Sequence, residues 1–304
     1  MTLTLPSFAK INWTLEILGK RADGYHELRT LLQTISLADE LIFTPTEKKI
    51  EIICEHPGVP CDKTNLSYRA TKLLSDFTGV EHGVRITIKK RIPVAAGLGG
   101  GSSNAAATLI ALQKLWGLEL APRDMFTLGS KIGADVPFFF IGGTALGIGR
   151  GDEVYPLDDC SAEFLLLVNA GIPVATREVY ANLPPELTNP VATAKMPLSL
   201  ETAYANSAVR RGRPESIWTR LHNDLEIPVL AHHPLLVEIK QRLTKIGARG
   251  VLMSGSGSTI FAIFDSEEAR SGALSDLSGA GWWCAPARTL SRKRYRQALS
   301  TSSA

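Results

Sequence analysis

The chain has 304 residues, 44% hydrophobic and 21% charged, with 26 Gly, 17 Pro and 4 Cys. This composition excludes an extended disordered chain, and at roughly 150 residues per domain the length predicts about two domains. A formal charge of +3, from 33 Lys+Arg against 30 Asp+Glu, gives no general polyanion-binding surface; phosphorylated substrates stay open, because they need only local positive potential.

The opening Met1 to Lys10 lacks the charged-then-apolar pattern of a secretory signal. No run approaches the roughly 18 apolar residues of a membrane span, so a cytoplasmic protein is expected. Cys54, Cys61, Cys160 and Cys284 never fall at C-x-x-C spacing and read as small buried hydrophobes. His26, His56, His82, His222, His232 and His233 form no H-E-x-x-H pair, so no protein metal site is assigned.

The first strand-like run is Phe8 to Trp13, which carries Lys10 and Asn12 two residues apart and therefore on one face. A cation beside an amide suits substrate binding, although a Lys in such a run is often edge decoration. Gly19 to Glu27 is a polar loop around the turn pair Asp23-Gly24. It ends in Tyr25, a stacking face, and His26, a hydrogen-bonding imidazole, a pairing that suits a nucleobase; the plainer reading is a surface hairpin turn. Lys48 to Glu55 alternates weakly, Asn65 to Phe77 reads as a helix, and Val84 to Lys89 alternates as a strand.

Next comes Pro93-Val94-Ala95-Ala96-Gly97-Leu98-Gly99-Gly100-Gly101-Ser102-Ser103-Asn104. Ser102, Ser103 and Asn104 suit a helix N-terminus, Ala105, Leu109, Leu112 and Trp116 follow at helical spacing, and Gly117 is a stop. Four glycines in five positions cost backbone entropy, roughly 0.5–1 kcal/mol each relative to Ala in regular structure. A phosphate at the helix start offsets that cost, since glycines let the backbone approach and free N–H groups point outward. Neither the Walker pattern nor G-x-G-x-x-G fits, and a serine-capped flexible turn is the plain alternative.

Pro122 to Lys131 reads as a helix, and Asp135 follows in a stiff connection ahead of Phe138-Phe139-Phe140, where a carboxylate can act as a positioned base. After Gly151 the composition resets. Phe164 to Val168 is a buried-strand run, Pro184 to Pro214 is loop-rich, Leu235 to Ile246 is an amphipathic helix, and Gly250–Ser254 with Thr259–Phe264 read as strands around a Gly-Ser turn. Gly255, Ser256 and Gly257 in that turn form, with the first cluster, two backbone walls around one polyanion. Strands and helices mix without a regular βαβα beat, which gives two α+β domains, 1–155 and 156–304.

These segments resemble the GHMP kinases. The stretch Pro93 to Leu109 is similar to their ATP loop and Ser254 to Phe264 to their third motif. Pro6 to Asn12, Leu18 to Leu28 and Gly133 to Phe140 narrow the resemblance to the 4-diphosphocytidyl-2-C-methyl-D-erythritol kinases. It implies a two-domain fold with the site in the cleft between domains, ATP as phosphoryl donor with Mg²⁺ bound mainly through it, and transfer to the 2-hydroxyl of a cytidine diphosphate methylerythritol. By the same resemblance Asp135 is the base and Lys10 its catalytic partner. Asn12, Tyr25, His26, Thr176 and Tyr180 bind substrate, with Tyr25 and Tyr180 on the two cytosine faces. Asn65, Leu66 and Lys90 line the adenine site. No glutamate is identifiable as the Mg²⁺ ligand that many members of the superfamily carry.

Two further readings stay beside this one. A homoserine or mevalonate type of GHMP kinase leaves Tyr25 and His26 without a base to read. Nucleic-acid binding would use Arg288, Arg292, Lys293, Arg294 and Arg296 around Tyr295, with Arg210, Arg211 and Arg213 as a second patch; charge runs of this kind are usually only solvated.

Overall fold

The computed structural model describes residues 2–189 and 220–300. Arg210, Arg211, Arg213 and most of the 184–214 stretch lie outside the described residues. In chain order the elements are β1 (Leu3–Lys20), β2 (His26–Thr46), β3 (Ile50–Ile53), α1 (Leu66–Thr78), β4 (Gly83–Lys89), α2 (Gly100–Leu115), α3 (Pro122–Ile132) and α4 (Phe138–Ile141). They continue with β5 (Thr144–Gly149), β6 (Glu153–Pro156), β7 (Leu165–Asn169), α5 (Thr176–Ala181), β8 (His222–Asn223), α6 (Glu226–His232) and α7 (Pro234–Lys245). The last are β9 (Gly250–Met253), β10 (Ile260–Ile263), α8 (Glu267–Leu277), β11 (Trp283–Ala287) and α9 (Arg292–Ser300).

Seven strands form the first sheet, ordered β3-β4-β2-β1-β8, with β5 on β2 and β6 on β5. One long strand carries two partners along one edge: β2 pairs with β5 over Leu28–Gln33 and with β4 over Glu40–Thr46. The second sheet is β11-β7-β10-β9, antiparallel throughout. Pro286 sits in β11, an edge strand where a missing N–H is tolerated.

Burial follows the strand period of two. Phe43, Val84, Ile86 and Ile88 pack with Leu74, Leu109 and Leu112 of α1 and α2. Ala9, Ile11 and Trp13 face the second sheet, where Leu165, Leu167, Phe261 and Ile263 meet them. The alternate residues Leu166, Val168, Ile260 and Ala262 cover Leu236, Ile239 and Leu243 of α7. A strand buried on both faces reads as an unbroken apolar run, which is why Phe164 to Val168 shows no alternation.

In β1, Leu3 and Leu5 belong to the helix-side core, whereas Ala9, Ile11 and Trp13 belong to the core between the sheets. The faces exchange at the register shift between Phe8 and Lys10. Across that irregularity β1 advances two residues while β2 advances four, the regular alternation of β1 is interrupted, and beyond it Lys10 and Asn12 lie opposite Ala9, Ile11 and Trp13, on the helix side.

Three expectations need correction. The helix expected from Ser102 begins at Gly100 with Gly99 as its cap residue and no side-chain cap; the Ser103 hydroxyl instead meets Ser7 Oγ at 2.8 Å. The cysteines are free but not buried, Cys61 being exposed and the other three intermediate, because Cys54 and Cys61 flank a surface loop. The basic C-terminal run is a docked helix, in which Tyr295 is buried and donates to Phe139 O, and Arg292 donates to Thr144 O and Leu157 O. Lys293, Arg294 and Arg296 are its exposed cations. With β8 joining β1 and α9 packing on β1, elements after residue 156 return to the first sheet.

Candidate active site

A cavity of about 1370 Å³ is lined by β1, the β1–β2 turn, the start of α2, Asp135, α5 and the β9–β10 turn. Nearly all the residues singled out above meet on its wall: Lys10, Asn12, Tyr25, His26, Asn65, Leu66, Lys90, Pro93 to Ser102, Asp135, Thr176, Tyr180, Gly255 and Ser256. Ser103 and Gly257 stand off it. Ser103 is spent internally, its N–H on Gly99 O at 2.9 Å and its hydroxyl on Ser7. The Gly257 N–H closes the turn onto Ser254 O at 3.0 Å.

The two glycine clusters touch. A Cβ on Gly97 would lie 1.9 Å from Ser254 O, and the Ser254 hydroxyl donates to Gly97 O at 2.9 Å. They therefore form one joined loop pair rather than two walls with a ligand between Gly97 and Ser254. Gly97 has φ +74°, which also favours glycine. Farther along, a Cβ on Gly99 would sit 3.0 Å from Lys10 Cγ, and one on Gly100 2.9 Å from Lys90 Nζ. The missing side chains thus admit two cations to the N-terminus of α2.

That helix makes its first backbone bond from Ser103, which leaves the N–H groups of Gly100, Gly101 and Ser102 without an intrahelical acceptor. Partial positive charge at a helix start, beside two ammonium groups, is unfavourable unless an anion is held there. Lys90 is offset by Asp39 at 2.5 Å, a buried carboxylate that also accepts from the N–H groups of Arg91 and Ile92. Lys10 is only 4% exposed; it donates to Asn12 Oδ1 at 2.7 Å and lies 3.7 Å from Asp135, whose side chain is 37% exposed. Asn65 lines the cavity with its amide committed, capping α1 at Ser67 N and donating to Pro60 O.

On the same wall His26 and Tyr180 stack, with centroids 5.2 Å apart and planes at 28°. Burial, helped by Lys20, holds the His26 imidazole below its usual range, and His26 Nε2 is buried with no hydrogen-bond partner among the described residues. Burial, with Asp135 nearby, raises Tyr180, which stays a neutral phenol. Tyr25 is 57% exposed, with the Arg150 guanidinium 5.1 Å from its ring centre. Thr176 and Ser256 join α5 to the β9–β10 turn through a 2.8 Å hydroxyl contact.

Sequence reasoning missed Lys20, Arg69, Lys131, Arg150 and Arg177 on the wall, where they join Lys10 and Lys90, while Asp135 is the one carboxylate among the described lining residues. The small net charge concealed this local excess. For Arg150 the sequence signal was the flanking pair Gly149 and Gly151, which marks a turn; both have positive φ in the structure, and the pairing of β5 with β2 brings that turn to Tyr25.

Among known proteins, the GHMP kinases N-terminal domain pattern matches residues 65–143 and the GHMP kinases C-terminal pattern residues 205–281. The 4-diphosphocytidyl-2-C-methyl-D-erythritol kinase of Geobacter sulfurreducens is 40% identical over 289 residues, 95% of this chain and 99% of that protein. That of Clostridium kluyveri is 44% identical over 263 residues, 86% of this chain and 91% of its own. A crystal structure of 4-(cytidine 5'-diphospho)-2C-methyl-D-erythritol kinase superposes with a TM-score of 0.75 at 34% identity, covering 94% of this chain and 99% of that one. A cation-rich cavity lined by a glycine-rich helix start and by aromatic rings, together with 40% identity along nearly the whole length, places this chain in the 4-diphosphocytidyl-2-C-methyl-D-erythritol kinases of the GHMP kinase superfamily.

Proposed function

We propose that the protein transfers the γ-phosphoryl group of ATP to the 2-hydroxyl of 4-diphosphocytidyl-2-C-methyl-D-erythritol, giving ADP and the 2-phosphate. The observation that carries this reading is the convergence of Lys10, Asp135 and the free N–H groups of Gly100, Gly101 and Ser102 on one cavity that Tyr25, His26 and Tyr180 also line. ATP lies along Pro93 to Ser102, with its adenine toward Asn65, Leu66 and Lys90. The cytosine is read at Tyr25, His26 and Tyr180, and Asn12, Thr176, Gly255 and Ser256 hold the remainder.

Deprotonating an alcohol, with a pKa near that of water, by an ordinary carboxylate costs about 16 kcal/mol, too much to precede phosphoryl transfer. Asp135 therefore orients the hydroxyl and accepts its proton late, as the oxygen bonds to phosphorus. Lys10 and the helix N–H groups stabilise the negative charge on the transferring group. No group of three or more His, Cys, Asp or Glu able to hold a metal gathers among the described residues. A Mg²⁺ would be carried mainly by phosphate oxygens and water, with the Ser102 hydroxyl, in the first turn of α2, able to add one oxygen; the ion would supply charge neutralisation. The proposed division into 1–155 and 156–304 leaves the cavity lined from both sides, by Lys10 and Asp135 on one and Tyr180 and Ser256 on the other.

An ADP-release assay tests the substrate. Turnover is expected with the cytidylylated methylerythritol and not with mevalonate, homoserine or galactose; preferential turnover of one of those three would overturn the assignment. His26→Ala is expected to raise KM for the cytidine substrate about tenfold and leave KM for ATP unchanged, as for an interaction of equal strength in the ground and transition states. Equal weakening toward both substrates would contradict a base-reading role. Because His26 titrates below its ordinary 6.5, the folded protein resists protonation that the unfolded chain accepts. Its contribution to stability is therefore full above about pH 6.5 and declines as the pH falls below that. Its neutral form is also the one that can accept a hydrogen bond, so substrate KM is expected to rise over the same acid range.

A further inference from the structure

We infer that Thr30 is a positioning residue for the phosphoryl transfer, acting through the Asn12 amide to set where Lys10 holds its ammonium. Thr30 lies on β2 and is 3% exposed. Its hydroxyl donates to the Thr14 backbone carbonyl at 2.6 Å and receives Asn12 Nδ2 at 2.8 Å. A carbonyl can only accept, so the single hydroxyl proton is committed to Thr14 and Thr30 offers Asn12 lone pairs alone. Only the amide NH₂ can face those lone pairs, and the amide oxygen is thereby turned to Lys10 Nζ at 2.7 Å. The reversed amide would set oxygen against lone pairs and NH₂ against an ammonium, two repulsive contacts in a buried place.

Lys10 is thus held from two sides, by Asn12 Oδ1 and by Asp135 at 3.7 Å. The Thr30 side chain is itself fixed. Its methyl lies on Gly147 of the neighbouring strand, where a Cβ would come within 3.0 Å. With the methyl seated there, the hydroxyl points across to β1. Thr14 enters because the register shift between Asn12 and Thr14 brings its carbonyl within reach of Thr30. Among the described residues, the Asn12 amide has two hydrogen-bond partners, Lys10 and Thr30, and of these Thr30 is the one fixed by its own bond to the backbone.

The inference rests on the reading of Lys10 and Asp135 as the catalytic pair. The test is steady-state kinetics of Thr30→Val, which keeps the shape and removes the hydroxyl, beside Thr30→Ser, which keeps the hydroxyl, and Asp135→Asn as reference. Thr30→Val is expected to lower kcat about tenfold, near the upper limit of what one hydrogen bond contributes, with KM for ATP within about twofold. Thr30→Ser is expected to recover most of kcat. Placed on Asn12→Ala, Thr30→Val is expected to cause no further drop, since the group it acts through is gone. Unchanged kcat in Thr30→Val while Asp135→Asn is inactive would overturn the inference alone, as would a Ser variant no better than Val or a full additional drop on Asn12→Ala. Normal turnover in Asp135→Asn would instead remove the catalytic pair, and the inference with it.

Discussion

Asp135→Asn is expected to lower kcat by at least about a hundredfold while ATP affinity stays near its normal value, the lower end of what a general base contributes. The substitution preserves shape and removes the charge that faces Lys10 at 3.7 Å and the acceptor that takes the hydroxyl proton. Lys10 still keeps Asn12 Oδ1, so the fold is expected to survive with the ammonium in place. Single-turnover kinetics with saturating ATP separates the chemical step from release. A chemical rate within a fewfold of normal would remove Asp135 from the reaction.

Gly97→Ala is expected to destabilise the protein by roughly 2–4 kcal/mol and to weaken ATP binding sharply, through backbone sterics. At φ +74° any L side chain is strained, which costs roughly 1–2 kcal/mol by itself. The Cβ would also fall 1.9 Å from Ser254 O and 3.0 Å from Gly257 N, both backbone atoms that no side-chain rotation can move. Relief requires parting the loop pair, which breaks the Ser254 hydroxyl bond to Gly97 O and the Thr259 N–H bond to Ala96 O. Gly117→Ala is the control, because Gly117 has φ +64° but nothing within 4 Å of its Cβ. Urea midpoints compare the two. An equal shift in both would reduce Gly97 to a conformational effect and leave the loop contact without weight.

How far the sequence reveals this site depends on sequence distance. Lys10 and Asn12 are two residues apart, so their common face is legible from the strand period. Which face they share is not, because the register shift after Phe8 decides it. The glycine run before α2 is legible as a phosphate-binding start, since its chemistry is local. That Gly97 must be glycine to meet Ser254, 157 positions later, is a fact of packing with no local trace. Tyr180 entered through the resemblance alone, and only the fold lays it on His26. Arg150 reaches Tyr25 by strand pairing, and the basic C-terminal run reads as a solvated tail until Tyr295 is seen buried against Phe8 and α4. Helices and two-sided strands carry their own patterns, whereas loop-to-loop contacts and the long β2 depend on partners chosen at a distance.

Passage of phosphorus from ATP to one hydroxyl of the cytidylylated methylerythritol can be followed directly by ³¹P NMR of the reaction mixture. The γ-phosphate signal of ATP is expected to give way to ADP and a phosphomonoester on the 2-oxygen, with the cytidine diphosphate signals retained. Formation of inorganic phosphate alone, or a phosphate attached at another position, would contradict the proposed transfer.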